Sequence, residues 1–263
     1  MTANGSPIAF VTGASAGTGG DIAWALAQAG YDVAVVGRKI EALNELAERI
    51  STLGRDALVL CVDLQDAREI DAGIDQFLDW SAGRIDVLVN AAGIPGPLSP
   101  DIGHFSVEEF DAVISTNLRA PFLVLRKLLP IMRAQKSGRV IQIGGNHGMR
   151  GRAGRASYSA SKWGLRGLSR SAALEAGPDG VTVNYIAPGP ISVPRMQAAW
   201  AARAIAEGTE PDKVVEAYVA NMGIALGRTN EPCDIVNMVL FLAGPGGRNI
   251  TGQEFVIDGG VIV

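Results

Sequence analysis

Short apolar runs alternate with longer amphipathic stretches almost to the end of the chain. The runs at 7–12, 32–36, 57–62, 85–89, 139–143 and 181–186 predict strands, and a last short one is predicted at 254–257. Between them, apolar positions recur at helical spacing over 18–30, 39–53, 66–82, 107–135, 157–176 and 231–243. Gly54 supplies the stop after the second helix, and residues 93–103 form a polar Gly/Pro loop. Residues 189–230 read as irregular or helical.

Strands that are apolar throughout are buried on both faces, which requires a parallel sheet covered by helices. The repeated βα order predicts an α/β fold: a Rossmann-type doubly wound parallel sheet of about seven strands, with helices on both faces. In such a sheet the ligand lies beyond the carboxyl ends of the strands, where the strand order reverses. No linker or composition shift divides the chain. One dinucleotide-binding domain over 1–263 is expected, with 189–230 as a cap over the substrate.

Composition narrows the chemistry. Glycine is abundant, 33 of 263 residues, without the period of collagen, so it serves positions where a Cβ would obstruct. Two His and two Cys are too few for a His- or Cys-rich metal centre, and no metal is expected. A net charge of −4 argues against nucleic acid as the partner. Cys61 and Cys233 do not make a disulfide framework. The opening residues lack the charged and apolar regions of a signal peptide, and no run reaches 18 apolar residues. No membrane association and a cytoplasmic location are therefore expected.

The first βα turn is Thr12-Gly13-Ala14-Ser15-Ala16-Gly17-Thr18-Gly19. Glycines at 13, 17 and 19 allow a tight turn, close approach of backbone to a pyrophosphate, and close helix–strand packing. The helix start, with Ser15 and Thr18 beside it, offers N–H groups and the positive end of a dipole to phosphates. Gly-Lys-Ser/Thr is absent, so this is not a triphosphate loop. Strand two ends at Gly37-Arg38-Lys39 with no carboxylate to hold a ribose 2′-hydroxyl. Arg38 is instead placed to pair with a 2′-phosphate, which favours NADP while leaving NAD possible. Asp32 opens that strand and is no substitute.

The loop resembles the Thr-Gly-x3-Gly-x-Gly motif of the short-chain dehydrogenases/reductases. Further matches follow in that family's order: Asn90-Ala91-Ala92-Gly93, Asn117 within Thr116-Asn117-Leu118, Tyr158-x3-Lys162, Pro188-Gly189, Thr251-Gly252-Gln253 and Asp258-Gly259-Gly260. The resemblance implies a carbonyl/secondary-alcohol oxidoreductase and extends the cofactor set. Asp63 and Leu64 resemble the adenine-contacting pair, Asn90, Ala91 and Gly93 follow strand four, and Pro188, Gly189 and Ile191 follow strand six. It implies Tyr158 as acid/base and Lys162 as its partner, which also contacts the nicotinamide ribose. Asn117 is similar to the Asn that holds a water in the proton relay. A homodimer or homotetramer is implied as well.

Tyr158 and Lys162, four apart on a helix, share a face, and an ammonium there is expected to lower the phenol's ordinary pKa of ~10. Two positions depart from the family. Gly145 stands thirteen residues before Tyr158, where a Ser hydroxyl usually polarises the carbonyl, and Val193 replaces a Thr of the loop after strand six. Losing one such donor typically costs ~10²–10³ in rate. Three outcomes are open: Asn146 or His147 supplies the donor, a water fills the space, or the chain binds dinucleotide but turns over poorly, as a sensor or assembly partner. Asn146 is preferred, because an amide donates without titrating. Gly145, His147, Met149, Met196 and Trp200 are expected along the substrate cleft, with Tyr218 and Met222 bordering it. Arg150, Arg152 and Arg155 lie between strand five and the tyrosine helix, where surface roles compete with attraction of an anionic substrate.

Overall fold

The computed structural model describes residues 5–99 and 101–262. Its seven strands are β1 (Ile8–Thr12), β2 (Asp32–Gly37), β3 (Ala57–Cys61), β4 (Val87–Asn90), β5 (Gly138–Ile143), β6 (Val181–Pro188) and β7 (Glu254–Ile257). All pair in parallel, in the order β3-β2-β1-β4-β5-β6-β7. The central strands β1, β2, β4 and β6 are buried along their whole length, as their mostly apolar composition requires.

The helices are α1 (Gly17–Gln28), α2 (Ile40–Ser51), α3 (Ala67–Trp80), α4 (Val107–Ile114), α5 (Ala120–Gln135), α6 (Ala156–Ala176), α7 (Pro194–Glu207), α8 (Pro211–Met222) and α9 (Pro232–Ala243). They bury two separate apolar layers. Ile22, Leu26, Leu43 and Val239 of α1, α2 and α9 pack on one face of the sheet. Ile74, Phe77, Leu128 and Ala173 of α3, α5 and α6 pack on the other. Phe10 of β1 meets Phe77 edge-on at 4.9 Å. Each large apolar side chain so buried is worth about 1.5–3 kcal/mol.

Three findings refine the sequence expectations. The helix expected over 107–135 is interrupted by a π-turn at Ser115–Arg119, and Asn117 sits in it. Such turns recur at functional sites because they shift the side-chain register within a helix. The segment 189–230, left as irregular or helical, resolves into α7 and α8. Trp200, Ala204 and Val214 pack between these two helices. The two cysteines are free and exposed. Among the described residues, no helix is long and apolar enough to cross a membrane.

Candidate active site

The strand order reverses between β1 and β4, and the loops at their carboxyl ends part there. Gly13 holds φ +75°, and a Cβ on it would lie 2.7 Å from the Ala92 nitrogen, so only glycine lets the two loops close together. The Thr12 hydroxyl ties them, accepting from the Ala91 and Ala92 N–H groups at 3.1 and 3.3 Å. A Cβ on Gly19 would run into the Gly13 carbonyl. Helix α1 begins at Gly17 behind Ala16, whose side chain caps nothing. Its first N–H groups are therefore available to an anion.

A cavity of about 490 Å³ opens over these loops. Gly17, Thr18 and Gly19 line one end, Ala91 and Gly93 the wall after β4, and Pro188, Gly189 and Ile191 the wall after β6. Gly145, Asn146, His147, Tyr158, Lys162 and Met196 line the other end. The helix-start loop and the glycine contacts fit a pyrophosphate cradle, so the residues present suit a dinucleotide. Ser15, Arg38, Asp63, Leu64 and Asn90 lie off the cavity. Arg38 is exposed at the end of β2, close to the phosphate loop, because a Cβ on neighbouring Gly37 would stand 2.8 Å from the Ser15 hydroxyl. Asp32 is buried at the opposite end of that strand, 4.0 Å from Arg55. Leu64 joins the apolar core, and the Asp63 carboxylate accepts from the Gln65 N–H.

Tyr158 and Lys162 project from one face of α6 into the cavity, with the Lys162 Nζ 5.6 Å from the phenol ring centroid. Lys162 is buried, and its ammonium donates to the Ile143 carbonyl at 3.1 Å. Burial pushes the Lys162 pKa down to about 8. Burial also pushes the Tyr158 phenol above its ordinary value, and the cations that oppose this are Arg155 and Arg195. Burial therefore outweighs nearby positive charge at this phenol, which stands above its ordinary value rather than below it as expected.

Asn117 is fully buried. Its amide donates to the Ile94 carbonyl and the Ser161 hydroxyl and accepts from the Ile94 N–H, all within 3.1 Å. This side chain clamps the loop after β4, and a Cβ on Gly93 would sit 3.3 Å from both Asn117 Oδ1 and Lys162 Nζ.

The sequence matches the family described as short chain dehydrogenase over residues 7–204. The chain belongs to that family. It is 38% identical over 257 residues to a 3-oxoacyl-[acyl-carrier-protein] reductase of Staphylococcus aureus, covering 96% of this chain and 97% of the relative. Levodione reductase superposes with a TM-score of 0.87 at 31% identity, over 97% of this chain and 96% of that one. A variant of actinorhodin polyketide ketoreductase, solved with NADPH, superposes with a TM-score of 0.89 at 30% identity, over 99% of both chains. This short-chain dehydrogenase/reductase is thus an oxidoreductase of the carbonyl/CH–OH class that uses a nicotinamide dinucleotide.

Two expected substrate residues of this short-chain dehydrogenase lie elsewhere. Met149 packs beside Leu165, Tyr185 and Ala187. Trp200 is buried against Ala204 and Val214, its ring 5.7 Å from Tyr218. Both are apolar enough to be drawn into packing between elements. Tyr218 and Met222 do border the cavity.

Around the missing hydroxyl, Gly145 has extended backbone, and a Cβ on it would lie 3.0 Å from the Tyr158 oxygen. Asn146 spends one N–H on the Asp258 carboxylate at 3.4 Å. The same carboxylate accepts from the Gly260, Val261 and Ile262 N–H groups, tying this loop to the end of β7. His147 stands edge-on to the Tyr158 ring at 5.5 Å, with its Nε2 sealed from solvent and unpartnered. Burial, helped by Arg152, Arg155 and Arg150, holds its pKa down to about 4, so the ring is neutral at pH 7.

Sequence reasoning missed two supports. Tyr185 of β6 fills the space beneath the loop after β5: a Cβ on Gly144 would fall inside its ring, and its hydroxyl takes the Gly145 N–H at 3.2 Å. The Gly144-Gly145 pair was the available signal, read only for its missing Ser. Arg195, in the first turn of α7, lines the cavity and follows directly on the cofactor loop.

Proposed function

We propose that the chain interconverts a carbonyl and a secondary alcohol with NADP(H) as the preferred dinucleotide and Tyr158 as the proton donor and acceptor. The single observation that carries this is one cavity that joins an uncapped, glycine-lined helix start to the Tyr158–Lys162 pair. When bound, the nicotinamide supplies or accepts the hydride. The α1 N-terminus and the Gly17–Gly19 backbone hold its phosphates, while Pro188, Gly189 and Ile191 support its other end. Arg38 favours the 2′-phosphate because it follows β2 beside the loop and no carboxylate shares its place.

Burial keeps Tyr158 protonated at neutral pH, which suits donation to a carbonyl oxygen during reduction. As the phenol gives up its proton, the nearby Lys162 ammonium stabilises the charge that develops. Asn117 holds the Ile94 loop and so positions the wall opposite Tyr158. Beside Gly145, the Asn146 amide retains one N–H beyond its bond to Asp258 and lines the cavity, which supports it as the donor to the carbonyl oxygen. The chain forms a homodimer or homotetramer through α5 and α6, where Phe122 and Trp163 are exposed.

The test is a fluorescence titration with NADPH and NADH, followed by turnover on a carbonyl panel. NADPH is expected to bind at least tenfold tighter, with the gap closing in Arg38→Ala. Equal affinities in wild type overturn the NADP preference, and binding of neither overturns the whole reading. Binding without turnover on the panel favours a dinucleotide-binding sensor instead, the reading to which Gly145 points.

A further inference from the structure

Three guanidinium groups stand on the substrate end of the cavity wall: Arg152 and Arg155, on the approach to α6, and Arg195 in the first turn of α7. No Asp or Glu lines that cavity, in a chain whose net charge is −4. Several arginines elsewhere pair with carboxylates, Arg133 with Asp179, Arg166 and Arg170 with Glu254, and Arg203 with Glu207, while among the described residues others such as Arg49 and Arg68 do not. Among the described residues, the three cavity arginines make no ion pair within 4 Å.

Arg155 is half-buried and fixed, donating to the Pro95 and Gly96 carbonyls at 3.1 and 3.2 Å. The Arg152 Nη1 rests 3.5 Å from the Met222 sulfur, a poor partner for a cation. Burial and the neighbouring Arg152 and Arg195 disfavour the charge on half-buried Arg155, a cost that an incoming anion offsets, while Arg152 and Arg195 are exposed and add positive charge from the rim. At the reacting end, burial is the main cause of the depressed His147 pKa, and Arg152, Arg155 and Arg150 add to it.

We infer that the substrate is an anion: a carbonyl compound, or its alcohol, carrying a carboxylate or phosphate group that Arg152, Arg155 and Arg195 hold while the reacting carbon faces Tyr158. This deepens the proposed function and rests on it. The start of α1 offers the cofactor's pyrophosphate a cradle of backbone, and Arg195 follows by two residues Val193, which faces Gly17 of that cradle. Hydrogen bonds between guanidinium and carboxylate or phosphate would also fix the substrate's register against Tyr158.

The test is calorimetric titration of the NADP+ complex with two matched pairs: levulinate against methyl levulinate, and fructose 6-phosphate against fructose. At low ionic strength, the charged member of at least one pair is expected to bind at least tenfold tighter than its neutral counterpart. The pair that shows the gap separates carboxylate from phosphate. In Arg152→Gln and in Arg195→Gln the gap should fall below threefold, with melting temperature and NADP+ affinity unchanged. Arg155 is left intact because it also holds the loop after β4. Absence of any preference for a charged member in wild type overturns the inference. So does weakened NADP+ affinity in the variants, which would assign the arginines to the cofactor. Failure of NADP+ to bind wild type at all instead overturns the proposed function.

Discussion

At the cofactor end of the cavity the wall is mostly backbone: the uncapped start of α1 at Gly17–Gly19 and the short residues after β4. At the substrate end it is long side chains, Arg152, Arg155, Arg195, Tyr218 and Met222, drawn from a loop and from α7 and α8. Backbone walls are set by φ angles and close approach, and tolerate little change. Side-chain walls can be exchanged without moving the sheet. This difference explains how one fold serves many carbonyl substrates. Tyr158 and Lys162 lie where the two ends meet.

Substitutions at the junction and at each end should separate the three regions. Tyr158→Phe should cost about 10³ in turnover, within the 10²–10⁴ typical of a positioned acid/base, while NADPH affinity stays within twofold. Activity that survives the change would remove Tyr158 from the chemistry. Gly13→Ala should lower stability by about 1–3 kcal/mol, because its φ of +75° disfavours any Cβ and the Ala92 backbone blocks the space. A thermal melt would detect this, and an unchanged melt would mean the two loops are not locked together. Asn146→Ala should lower kcat about tenfold, roughly 1.4 kcal/mol of transition-state binding. Adding Gly145→Ser to that variant should recover most of the loss by returning a hydroxyl beside Tyr158. Unchanged turnover in Asn146→Ala would show that the donor lies elsewhere.

The smallest expected effect concerns pH. His147 titrates at about 4 in the fold, against about 6.5 for an unperturbed histidine. As pH falls from 6.5 toward 4, protons therefore bind the unfolded chain first, and stability declines across that window. His147→Gln lacks this increment, so its melting temperature should fall less between pH 7 and 5 than that of wild type. Parallel declines would place His147 in a more solvated site than the structure gives it.

The sheet was legible because its central strands are buried on both faces and so are mostly apolar. The predicted ends fall within a few residues, as with 85–89 against Val87–Asn90. The close-packed glycines after β1 were legible too, since glycine is required wherever backbone must pass close to backbone, but Ser15, Arg38, Asp63, Leu64 and Asn90, read with them, lie off the cavity. The substrate end was not. Met149 and Trp200 have the same apolar signature whether they face a ligand or a neighbouring helix, and here they face the protein. The π-turn at Asn117 leaves no mark in a continuous helical pattern. Arg195 joins Arg152 and Arg155 only through the fold, since Arg155 and Arg195 are forty positions apart in sequence.

The central claim is that this cavity passes hydride and proton to one carbonyl group. It is tested most directly by supplying NADPH carrying deuterium at the transferable position and examining the alcohol product by NMR. One deuterium on the carbinol carbon per turnover with wild type, and no detectable labelled product with Tyr158→Phe over the same time, is the predicted result. Product without label, or equal labelling by both proteins, would contradict it.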